Sequence, residues 1–398
     1  MTRVFITGLG AVSHAARTVP ELVSRLYDPK APEVVAPDLG DMNIPTKRFA
    51  LMADEDRPAA PETVAGFATS ESMRAILVAA REALADAGHE DDDSLRIGVV
   101  LGSSNGDAAL VEQYRTRGEQ LSEQGWVPMF AAAPAVASEL GTTGPALSLS
   151  NACAGSGYAI AIGAQLIESG EADVVIAGGY ETFSRVALAV FNQVGAVSQG
   201  TCLPFSRDRD GTTLGEAAAA VVLERADLAA GRDCRIYGEI AGQGWSCDAF
   251  HVTGLDPEGG QLIRAMRTSM AEAGVTPGDL SMVVPHGTGT RNNDSVEAAA
   301  TAVALAPHAA RIPFYSSKAL LGHTAGASGT LSVIAAVTFL GRGVMPPNLL
   351  IDEVDPEVGL MLPMRETPLA GDTAMVNTYG FGGNNMSLIV KKVDRESL

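Results

Sequence analysis

Basic residues are scarce in this chain: 28 lysines and arginines stand against 47 aspartates and glutamates, a formal net charge of −19 over 398 residues. Nucleic acid needs a basic surface to displace its counterions, so this balance argues against such a partner. An acidic protein partner would have to dock on a local basic patch. Cysteine is rarer still. Cys153, Cys202, Cys234 and Cys247 form no CxxC pair and lie too sparsely for a disulfide framework or a zinc site. Apolar runs such as "GTLSVIAAVTFLG" fall short of the roughly 18 residues that a membrane helix takes. The start, "MTRVFITGLGAVS", lacks the apolar run and cleavage site of a signal peptide and reads as a strand followed by a glycine turn. The cytoplasm is the expected location. "GLGAVS" also lacks the third glycine of GxGxxG, with no suitably placed acid after it, which sets aside a dinucleotide site. No His pair at i, i+4 and no His/Cys cluster supports a metal among His286, His323 and Asp294.

What is present is alternation. "ESMRAILVAAREALADAG" has helical periodicity and a Gly stop, and "RIGVVLGSS" is a β-branched run closing in small residues. "PALSLSNA", a helix over 154–169, "ADVVIAGGYE" and "AAAAVVLERADLA" continue the pattern. A second series runs from "RIYGEIAGQGWS" through "GGQLIRAMRTSMAEAGV", "LSMVVPHGTGT" and "GASGTLSVIAAVTFLG" to "TAMVNTYGFGGNNMSLIV". The fold class this predicts is α/β with buried, mixed sheets. The similar content of the two series predicts two related halves, 1–240 and 241–398, although no repeat shows by identity. Residues 27–65, rich in Pro, Asp and Ala, read as a surface excursion.

Cys153, in "SLSNACAGSGY", follows a strand-like run and opens a helical one among small residues. A cysteine at a helix start gains from the dipole and free N–H groups, which favour thiolate and stabilise an adjacent oxyanion. The placement is that of a nucleophile elbow. An inert, buried small residue is the competing reading. His286 in "VVPHGTGT" and His323 in "SSKALLGHTAGASG" both sit in Gly-rich strand-end turns, where α/β proteins place active sites, and Lys318 accompanies His323. His14, His89, His251 and His308 lack such settings and read as surface or packing residues. Asp294 and Glu297 fit helix N-terminal charges.

"NACAGSG", "HGTGT…ND", "K…LGH…GA.G" and "NTYGFGGNN", with "GLGAVS", "REALADAG", "GEADVVIAGG" and "PFSRDRDG", resemble in order the β-ketoacyl-acyl-carrier-protein synthases of the KAS I/II type. The resemblance covers nearly the whole chain. It implies the thiolase fold, two similar βαβαβ-type halves, in a dimer. It implies that Cys153 accepts an acyl chain from the phosphopantetheine of an acyl carrier protein, with no cofactor bound to the enzyme itself. The N–H groups of Cys153 and Phe381 would form the oxyanion hole. His286 and His323 would stabilise the enolate from malonyl decarboxylation, with Lys318 tuning them. Thr288, Thr290, Phe381, Gly382 and Gly383 would hold pantetheine and substrate, Phe381 as a gate between glycines. Glu216, Asp294 and Glu297 would be structural supports.

Several positions depart from the family pattern. The start of the helix over 69–86 carries no basic cluster for carrier docking, only Arg74 and Arg81. Arg207, Arg209 or Lys47 and Arg48 are the candidate substitutes. "LGEAAAA" keeps Glu216 in a less Gly-rich setting, and Ser332 stands where a common family Glu would pair with Lys318. These departures suggest a specialised pathway, polyketide or other secondary metabolism. The rivals are a non-catalytic chain-length-factor-like partner and a Cys–His hydrolase or acyltransferase on the same fold. Retention of Cys153, both His and Lys318 favours elongation, by a homodimer or by the catalytic half of a heterodimer. Asn151 and Tyr158 are expected to shape the pocket.

Overall fold

The computed structural model describes residues 2–394 except positions 29, 41, 60–62, 65–66, 90–93, 118–128, 349–350 and 352. Among these, nine strands form one sheet: β1 (Val4–Ser13), β2 (Ile97–Gly102), β3 (Ala146–Leu149), β4 (Val174–Glu181), β5 (Ala217–Arg225), β6 (Gly238–Cys247), β7 (Leu280–Val284), β8 (Thr373–Gly380) and β9 (Asn384–Lys391). Their order is β7-β8-β9-β6-β1-β5-β4-β2-β3. Outward from the β1–β6 junction the two sides run alike. β1–β5 and β6–β9 are antiparallel, β5–β4 and β9–β8 antiparallel, and β4–β2 and β8–β7 parallel. Even the outer parallel neighbour of β2, strand β3, is echoed by a parallel bridge from Val283 to Phe314 beside β7. The strand pairing is thus alike on the two sides of that junction.

Six helices matter for the site: α1 (Glu71–Ala87), α2 (Gly155–Glu168), α3 (Arg185–Gln193), α4 (Gly260–Glu272), α5 (Arg291–Ala304) and α6 (Ser328–Arg342). Helices α2 and α6 pack on each other and on strands of both sides, so they form the middle layer. Helix α1 covers β1, β4 and β5 from outside, and α4 covers β6 and β9. The 18-residue segment Ala325–Arg342 is long and apolar enough to cross a membrane by composition. Its side chains are almost all buried in this middle layer, which accounts for the composition.

"GLG" proves not to be a turn: β1 continues through it for ten residues. A Cβ on Gly8 would sit 2.0 Å from Ala83 O, and one on Gly10 1.9 Å from Ala79 O. The glycines let the alanine face of α1 lie directly on the strand. Segment 27–65 is not all surface either. Leu39 and Phe49 are buried with Leu188, Val197 and Leu214 in a small core of their own.

Candidate active site

Both middle helices are entered through the same bend. Ala152 (φ +49°) opens the 3₁₀ turn Ala152–Ala154 that runs into α2, and Ala325 (φ +40°) opens the turn Ala325–Ala327 that runs into α6. Left-handed backbone at alanine costs on the order of 1–3 kcal/mol, and it recurs here at matching places in the repeat. One elbow carries Cys153. The other has Gly326 in that place and His323 just ahead of it. Strand β8 closes against the first elbow: a Cβ on Gly380 would lie 2.7 Å from Asn151 O and 3.2 Å from Cys153 N.

The structure brings Cys153, His286 and His323 together at one cavity of about 440 Å³, with Thr288, Thr290, Gly380 and Phe381 also on its walls. The imidazoles meet edge to face with centroids 5.5 Å apart. Burial, with Lys318 nearby, holds both well below the usual imidazole range, so both are neutral. The Ala325 N–H donates to His323 Nδ1 at 3.3 Å, which leaves the ring proton on Nε2. His286 Nδ1 is buried without a partner among the described residues.

The peptide of His286 is clamped from two sides. Glu297 accepts its N–H at 2.7 Å and that of Gly287 at 2.8 Å. Lys318 Nζ donates to the His286 carbonyl. Asp294 accepts from the N–H groups of Phe205, Thr288 and Gly289. Asp294 lies in the first turn of α5 as expected, whereas Glu297 is its seventh residue, past the helix start; both shape the HGTG loop. Burial raises Glu297 and lowers Lys318. Among the described residues no carboxylate lies within ion-pair distance of Lys318, and Glu297 is the foremost opposing charge around it. Glu216 accepts from the N–H groups of Met52 and Phe183 and pairs with Arg57 at 3.4 Å. It thereby ties the segment of Met52 and Arg57 to the residues that lead into α3.

Cys153 differs from the thiolate that its helix start suggests. Burial first, then Glu181, pushes the thiol up to about 12, and Lys318 offsets this only in part. Iodoacetamide alkylation of Cys153, followed by peptide mass mapping, is expected to rise about tenfold per pH unit between roughly pH 7 and 10. A plateau at or below the usual thiol value of about 8.5 would contradict this environment.

A second cavity of about 140 Å³ lies behind the first, lined by Phe49, Ala187, Val190, Leu214 and other residues. Cys153, His323, Phe191 and Phe381 border both. The rings of Phe191 and Phe381 stack at 5.4 Å between them. Gly382 and Gly383 line neither cavity. They form the left-handed turn after Phe381 (φ +81° and +79°), tied to Val252 O and to the Asp248 N–H. Asn151 and Tyr158 also stay off the cavity walls. Asn151 bonds Asn384, and the Tyr158 hydroxyl bonds Asn385 O while its ring stacks on Trp245. They fasten the elbow to β9.

Sequence reasoning missed three residues here. His251, read as a surface or packing residue, is exposed and lines the larger cavity, its Nδ1 accepting from the N–H groups of Thr253 and Gly254. Phe49 walls the smaller one from within the supposed excursion. Arg291, the first residue of α5, is exposed on the larger cavity. Its position directly after HGTGT was the available signal. Of the proposed docking cations, Arg209 is buried against Ser206 O, Asp355 and Ser295 and cannot meet a partner, because its charge supports the core. Arg207 is exposed but paired with Glu353. Lys47 is exposed, and Arg48 bonds Gly200 O. Helix α1 begins with Arg57 bonded to Glu71, and Arg81 bonds Glu139.

Residues 1–229 match the N-terminal domain of β-ketoacyl synthases and residues 237–352 the C-terminal domain. The chain belongs to the β-ketoacyl synthase family. It is an acyltransferase of the ketosynthase type, on the thiolase-like fold that its motifs implied. The 3-oxoacyl-[acyl-carrier-protein] synthase 2 of Coxiella burnetii is 30% identical over 98% of this chain and 99% of its own. The ishigamide ketosynthase/chain length factor superposes with a TM-score of 0.86 at 28% identity, over 99% of this chain and 100% of that one. AntDE:AntF, a type II polyketide ketosynthase bound to the hexaketide in complex with its acyl-carrier protein, gives 0.87 at 25% identity, over 98% and 100%.

Proposed function

We propose that this ketosynthase elongates an acyl chain in polyketide or related secondary metabolism, condensing it with a malonyl group carried on an acyl carrier protein. The observation that carries the reading is the convergence of one thiol and two neutral imidazoles on a cavity that continues past Cys153. The larger, open cavity takes the phosphopantetheine arm along Thr288 and Thr290. The smaller one takes the acyl chain, with Phe381 as the gate between them.

Loading is a thioester exchange: the acyl carbon bonds Cys153 Sγ, and the thiol proton leaves with the pantetheine sulfur. Malonyl then loses CO₂, and its electron pair moves into the thioester carbonyl. The enolate oxygen accepts hydrogen bonds from His286 and His323, whose neutral N–H groups are preorganised in a water-poor site. The enolate carbon attacks the Cys153 thioester. The N–H groups of Cys153 and Phe381 hold the resulting oxyanion, and the Cys153 thiolate departs. Lys318 acts through the His286 carbonyl.

The residues come from both halves of the repeat, Cys153 from 1–240 and the His pair with Lys318 from 241–398. The chain is read as working in the cytoplasm, as one half of a dimer with a second copy or a chain-length-factor-like subunit. Lys47 and Arg291 are the exposed cations offered to the acidic carrier. Incubation with an acyl thioester is expected to add one acyl group, on Cys153 alone, by intact and peptide mass spectrometry. That group should leave on addition of malonyl-carrier protein, with one CO₂ released per product. Discharge into water at the same rate without malonyl overturns elongation in favour of hydrolysis.

A further inference from the structure

The wall of the smaller cavity beside Cys153 carries polar groups that the chemistry above does not use. Ser104 and Asn105 both line it. The Ser104 hydroxyl oxygen is buried within reach of the Cys153 thiol and the Glu181 carboxylate, but meets neither at normal hydrogen-bond geometry. Glu181 has no need of it. That carboxylate already accepts from the N–H groups of Ser104 (2.7 Å), Asn105 (3.2 Å) and Gly326 (3.2 Å) and from the Ser103 hydroxyl (3.2 Å). The backbone at 104–105 is thereby held in place, which sets the Ser104 side chain beside the reacting sulfur. Thr182, on the same wall, is satisfied by Ser72 at 2.6 Å. No partner for the Asn105 side-chain amide exists among the described residues.

A buried hydroxyl without a close partner discriminates between ligands. A saturated chain passing over it leaves it unpaired, whereas a chain bearing oxygen there pairs it. We infer that Ser104, assisted by Asn105, selects acyl chains that carry an oxygen, keto or hydroxyl, within the first few carbons of the thioester. This rests on the reading of Cys153 as the acyl acceptor and narrows the substrate to partly unreduced chains.

The test compares acyl loading of Cys153 by N-acetylcysteamine thioesters of hexanoate, 3-hydroxyhexanoate and 3-oxohexanoate, timed by intact mass spectrometry. In each transfer the acyl group moves to Sγ and the thiol proton goes to the departing N-acetylcysteamine. Intrinsic reactivities differ, so the readout is the ratio of oxygenated to plain loading in wild type divided by that ratio in Ser104→Ala. A quotient of roughly ten, with hexanoyl loading faster in the variant, is expected. Asn105→Leu should lower the ratio in the same direction. A quotient near one overturns the inference. So does an equal slowing of all three substrates, which would assign the hydroxyl to the thiol. Absence of any Cys153 adduct in wild type would instead overturn the underlying function.

Discussion

Cys153→Ala is expected to lower condensation by at least about 10⁴-fold while leaving the fold and the decarboxylating half of the site in place. Among the described residues Cys153 is the only cysteine that lines both cavities. Of the other cysteines, Cys202 is buried beneath the HGTGT loop, its thiol on the Thr288 carbonyl at 3.2 Å, and neither Cys234 nor Cys247 lines a cavity with the histidines. Alanine fits the elbow, because the flanking residues are already Ala152 and Ala154 and the turn is set by backbone. The loss of one small buried side chain should shift thermal unfolding by only a few degrees. The His286–His323 pair and its Glu297–Lys318 clamp contain no atom of Cys153. Slow release of CO₂ from malonyl-carrier protein should therefore persist, uncoupled from product. Measuring ¹⁴CO₂ and β-ketoacyl product side by side checks both halves. Undiminished product formation in the variant would remove Cys153 from the mechanism.

The candidate site was legible in the sequence because it is built from short motifs whose residue types have few other uses. A cysteine walled by Ala, Gly and Ser, and two histidines in glycine turns, locate a site before any coordinates. The second elbow was legible as well, in retrospect: "ACAGSG" and "AGASGT" are the same bend twice, masked because one has Cys where the other has Gly. Three things were hidden. The ionisation of Cys153 depends on burial beneath Glu181, which is distant in sequence and arrives by the β2–β4 pairing. The identity of a free surface cation depends on which carboxylate it meets: Arg209 looked like a docking residue and is a core one. The role of Phe49 follows from a parallel bridge to Leu214 that no local pattern announces. Long-range pairing decided each of these.

The clamp on His286 gives the second large effect. Glu297→Ala is expected to destabilise the protein by about 3–5 kcal/mol and to reduce condensation more than about 100-fold in whatever fraction folds. Removal of the carboxylate orphans two N–H groups, those of His286 and Gly287, inside a dry core, where each unmet donor costs about 1–3 kcal/mol. It also withdraws the foremost opposing charge from buried Lys318, which Ser332 cannot replace. Glu297→Gln separates these contributions. The amide keeps the volume and one acceptor oxygen but presents an NH₂ where the other donor sits, so it should recover part of the stability and little of the activity. Chemical denaturation gives the stability order wild type, Gln, Ala. Malonyl decarboxylation, which in the proposed mechanism needs His286 but not acyl loading, should fall in that order too. If the Gln variant matches wild type in both measurements, the loop is held by shape alone and the carboxylate charge has no part in placing His286.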